Sequence, residues 1–107
     1  MAIESRNPST GEELARYEAL DGAGVEERLR RAVTAFRVWK NTSFELRARL
    51  MTRAAELLEV ESQRFAHLIT LEVGKPLRAS VDEVLKSARG CRYYAQNAHR
   101  HLRLSAP

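Results

Sequence analysis

A handful of side chains in this sequence have the chemistry to act on a substrate, and their spacing decides what each could do. Cys91, the single cysteine, is the one candidate nucleophile. A reactive thiol needs a helix N-terminus, a base or a cluster of cations to hold its anion. Cys91 lies instead on the apolar stripe of a predicted helix, with only Arg89 and Arg92 close in sequence, so it reads as a small core hydrophobe. His99 and His101 are two positions apart, which puts them on nearly opposite faces of a helix, whereas a helical metal pair needs a spacing of three or four. His67, between Ala66 and Leu68, has no orienting partner of the kind a general base requires. Glu26 with Glu27, and Asp82 with Glu83, are neighbours that point in different directions and cannot share a proton. The glycines at 11, 22, 24, 74 and 90 are too scattered for a dinucleotide fingerprint or a phosphate loop.

The basic tail Arg89, Arg92, His99, Arg100, His101 and Arg103, with Tyr93 and Tyr94 beside it, has the composition of a nucleic-acid surface. No docking motif accompanies it, so it is read as a solvated basic face and no nucleic-acid partner is expected. The same reading applies to Arg28, Arg30, Arg31, Arg37 and Lys40 further up the chain. A net charge of +4, from 18 Lys and Arg against 14 Asp and Glu, permits an anionic partner without demanding one. With 107 residues and 44% apolar side chains the chain suits one small domain with a modest core. One cysteine allows no internal disulfide, and no apolar run is long enough to cross a membrane, so a reducing, cytoplasmic setting is expected.

The elements that must position these side chains are mostly helices. Residues 1–20 contain two short alternating runs around the turn Asn7-Pro8-Ser9-Thr10-Gly11-Glu12 and predict a β-hairpin, which needs something to lie on because two strands alone are marginal. Residues 21–107 read as helical. Asp21 caps a first helix whose apolar stripe is Val25, Leu29, Ala32, Phe36 and Trp39. Ser43 caps a second, from about Phe44 to Leu58, with a stripe of Leu46, Leu50, Ala54, Leu57 and Leu58. Polar residues at 59–62 predict a break before the pattern resumes at Phe65, Leu68, Ile69 and Leu71.

The chain then turns at Glu72-Val73-Gly74-Lys75-Pro76, where Gly suits a C-terminal cap and Pro a first helical turn. Beyond it a long stripe of Leu77, Val81, Val84, Ala88, Cys91, Ala95, Ala98 and Leu102 follows, small in the middle and so able to admit another element closely. Gly90 inside this helix suggests a close contact or an irregularity. The fold expected is mainly α: a short hairpin followed by three to four helices.

Asn7-Pro8-Ser9-Thr10-Gly11-Glu12, Leu57-Leu58, the run Leu68 to Pro76, and Glu83 followed by Arg92-Tyr93-Tyr94-Ala95 stand in a specific order and spacing. Together they resemble the N-terminal segment of the aldehyde dehydrogenase superfamily, nearest its succinate-semialdehyde branch. That family oxidises an aldehyde to an acid through a cysteine thiohemiacetal, with hydride transfer to NAD or NADP. Its nucleophilic cysteine, general-base glutamate, oxyanion asparagine and ribose-contacting lysine belong to motifs that no position here matches. The resemblance therefore implies an inert segment that binds no cofactor or metal by itself, forming the N-terminal part of a cofactor-binding domain. Its partners would be the remainder of such an enzyme or further copies of itself in a homo-oligomer.

In the family the hairpin and helices pack on the cofactor-binding domain, and the helix ending in Tyr-Tyr-Ala contributes to the wall of the substrate tunnel. On that basis Asp82 and Lys86 are candidates for the tunnel mouth, against the alternative that both are solvated helix charges. The other functional reading is a stand-alone helical module binding itself or an acidic partner.

Overall fold

The computed structural model describes residues 2–103; residues 104–107, the end of the expected helical stretch, lie outside the described residues. Two strands are followed by four helices: β1 (Ala2–Arg6), β2 (Glu13–Glu18), α1 (Gly22–Trp39), α2 (Phe44–Val60), α3 (Ser62–Val73) and α4 (Leu77–His101). The mainly helical class and the hairpin expected from the sequence are both present. Internal contacts divide the chain into one unit ending at Thr42 and a second beginning at Ser43.

In the first unit β1 and β2 pair antiparallel, with Ile3 opposite Tyr17 and Glu4 opposite Arg16. The turn is fixed by its own polar groups. Asn7 Oδ1 accepts from the Ser9 N–H at 2.9 Å, Asn7 O accepts from the Gly11 N–H at 2.8 Å, and Gly11 takes φ 75°, a conformation that suits glycine because it has no Cβ. Cross-strand charge adds to the pairing: the Arg16 guanidinium lies 2.5 Å from Glu4 and Arg6 lies 3.5 Å from Glu13, while Arg16 with Glu13 and Arg6 with Glu4 are contacts within one strand. Helix α1 starts where Asp21 Oδ1 accepts from the Gly24 N–H at 2.7 Å, satisfying one of the free donors of a first turn. None of its residues is buried.

The second unit is a three-helix layer in which α4 packs against both α2 and α3. Ser43 Oγ accepts from the Leu46 N–H at 3.1 Å and caps α2 as its position predicts. The break falls at Glu61, which has no helical ψ and separates α2 from α3 within the polar stretch that interrupts the stripe. Helix α3 stops at Gly74, whose φ of 78° is left-handed and whose N–H returns to Thr70 O at 3.0 Å. Pro76 then stands one position ahead of the first turn of α4, in the extended conformation of a cap.

Small side chains form the core. Ala55 of α2, Ala66 of α3, and Val84 and Ala88 of α4 are the buried apolar residues, and Ser80 is buried beside them. This shifts the expected α2 stripe by one position: Ala55 faces inward, while Leu50 and Leu57 remain exposed. Alanine at each crossing lets helix backbones approach, and the longer leucines then flank the contact. Leu77 and Leu102, the two ends of the α4 stripe, are likewise exposed.

The expectation for Gly90 is corrected. Helix α4 is continuous through it, and a Cβ placed there would meet nothing within 4 Å. Gly90→Ala is therefore expected to raise stability by about 0.5–1 kcal/mol in urea unfolding. Gly74→Ala, at a left-handed φ, is expected to lower it by about 1–2 kcal/mol. Equal effects from the two substitutions would contradict this account of the turn.

Candidate functional site

The side chains with chemical potential are carried by the second unit, chiefly on α4. Asp82 and Lys86 lie one turn apart and both are exposed, on a helix whose inward positions are Ser80, Val84 and Ala88. No hydrogen bond or ion pair joins them to each other or to another described residue. Lys86 acts only at longer range, its charge adding to the lowering of the neighbouring Glu83 carboxyl pKa.

Neighbouring charges are more tightly held. Lys75 Nζ, just past the Gly74 turn, forms an ion pair with Glu83 and so ties the turn to the second turn of α4. That hydrogen bond, with the ammonium charge behind it, holds the Glu83 carboxyl below the usual glutamate range. Arg92 reaches from α4 to Glu59 at the end of α2 in a two-pronged contact, Nε to Oε1 at 3.0 Å and Nη2 to Oε2 at 2.6 Å, the geometry in which a guanidinium matches a carboxylate best. The Arg92 hydrogen bond lowers the Glu59 pKa, and Glu59 in turn raises that of Arg92.

Between α2 and the far end of α4 lies a groove of about 440 Å³ bordered by Phe44, Ala48, Met51, Tyr94, Ala98 and Leu102. Its lining is largely apolar, and its only aromatic hydroxyl belongs to Tyr94. The Tyr93 ring meets Tyr94 edge-on at 5.2 Å between centroids, and the Tyr93 hydroxyl lies 3.0 Å from His101 Nε2. Glu45, Arg47 and His99 also line the groove. Among the described residues no cluster of three His, Cys, Asp or Glu side chains could hold a metal. Cys91 is half-buried on α4, and His67 is exposed on α3.

Sequence reasoning missed Ser80. It is fully buried, with its Oγ 3.0 Å from Thr70 Oγ1 and 3.3 Å from Pro76 O. The signal was present, since Ser80 lies four residues before Val84 and eight before Ala88, but a serine in a charged helix reads as solvent-facing until its partner is known.

A nicotinamide dinucleotide needs backbone N–H groups free to hold its phosphates. Gly22 and Gly24 open α1, yet the Gly24 N–H is already taken by the Asp21 carboxylate, whose charge opposes an anion there. The start of α1 therefore does not fit the dinucleotide's phosphates, and no chemical step is derived through the cofactor.

This architecture and these motifs have a family. A model of the aldehyde dehydrogenase family matches residues 1–106, and the chain belongs to that family. An aldehyde dehydrogenase of Paenarthrobacter nicotinovorans is 46% identical over all 107 residues, which span 23% of that relative. A succinate-semialdehyde dehydrogenase [NADP(+)] of Mycobacterium bovis is 43% identical over 92% of this chain and 21% of its own length. Among solved structures, an NADP-dependent glyceraldehyde-3-phosphate dehydrogenase from Bacillus halodurans, complexed with NADP, matches 94% of this chain and 21% of its own, with a TM-score of 0.87 and 30% identity. An aldehyde dehydrogenase from Brucella melitensis matches with a TM-score of 0.86 and 26% identity. The 107 residues thus span less than a quarter of the curated relatives they match.

Glu59 and Glu83 have depressed folded pKa values, so their contribution to stability is complete above the ordinary glutamate value of 4.5 and is lost as pH falls through the lower folded value. Unfolding midpoints should fall on acidification below about pH 4.5, and Glu59→Gln should flatten that fall while lowering the midpoint near pH 7. A variant with an unchanged acid limb would show that the Arg92 contact contributes nothing.

Proposed function

We propose that these residues are the N-terminal structural segment of an NAD(P)-dependent aldehyde dehydrogenase acting on succinate semialdehyde. The observation that carries the reading is agreement over the whole chain: the family match extends over residues 1–106, and relatives named for that substrate share 43% of its residues. In this reading the segment performs no chemistry alone. It supplies a hairpin and a layer of helices that belong to the cofactor-binding domain, and the α2–α4 groove is covered when that domain is whole. NADP is the cofactor favoured, because the semialdehyde dehydrogenase relatives are named for it. Assembly is into homo-oligomers in a cytoplasmic setting. Asp82 and Lys86 stand on the exposed side of α4, where a tunnel mouth would present them to an incoming anionic aldehyde.

The groove supports the structural role independently. An apolar concavity lined by Phe44, Met51 and Leu102 is an unfavourable surface to leave in water, and a partner domain that covers it removes that cost.

Purified as 107 residues and supplied with succinate semialdehyde and NADP, the chain is expected to produce no NADPH above the rate without protein. Turnover that persists after repurification would overturn the inert-segment reading. In the complete enzyme, Asp82→Asn and Lys86→Met should change KM for the semialdehyde by about threefold or more while leaving kcat within twofold, as expected for rim charges that steer a ligand. Unchanged KM in both variants would return these residues to the class of solvated helix charges.

A further inference from the structure

We draw no further inference here: the strongest candidate, the largely apolar groove between α2 and the far end of α4 bordered by Phe44, Met51, Tyr94 and Leu102, carries nothing, because nothing in the structure shows what covers it.

Discussion

The second unit depends on one constraint: α3 must end and α4 must begin within three residues, with the two helices left close enough for side chains of 70 and 80 to touch. Gly74 makes the reversal possible by accepting a left-handed φ of 78° without the clash a Cβ brings. The return of α4 then places Ser80 against Thr70 at 3.0 Å, fully out of solvent. A buried hydroxyl with no partner is costly, while a paired one holds its helices in a single register. Val84 and Ala88 follow on the same face, so the position of Ser80 sets which side of α4 meets Ala55 and Ala66. Lys75 and Glu83 bind the turn from outside, and Arg92 with Glu59 fixes α4 to α2 three turns further on.

This arrangement gives a small core with large apolar flanks. Alanines at the crossings bring the helices together, yet they remove little apolar surface from water, since burial scales with the area of the side chain. The larger residues, Leu50, Leu57, Leu68 and Met51 among them, stay at least partly in solvent. The chain spans less than a quarter of its curated relatives, and such flanks support the proposal that it is one layer of a larger packed domain. The described residues of this unit present a largely apolar groove and exposed helix charges.

Much of this was legible in the sequence because the signals were local. Asp21 and Ser43 are caps that act on an N–H three residues away; Gly74 acts on its own backbone; the hairpin turn is closed by Asn7 and Gly11. The motif order from Asn7 to Ala95 also carried the family. What was not legible depends on partners distant in sequence. Ser80 is polar by type and buried by context; the inward choice of Ala55 over Leu57 is made by the closeness of α4, which no periodicity in α2 reports. Gly90 misled for the opposite reason, since a glycine in a helix suggests a neighbour and no described residue lies within 4 Å of a Cβ built there. For Asp82 and Lys86 the sequence supplied charge and spacing, and the geometry adds only that both are exposed.

Hydrogen exchange on the 107-residue chain tests most directly whether α4 is held by the Ser80 contact and the alanine crossings. The account predicts that amides around Val84 to Ala88 are the slowest to exchange and open together with those around Ala55 and Ala66, as one cooperative unit. Exchange of the α4 amides at the rate of an isolated helix, while α2 and α3 stay protected, would contradict it.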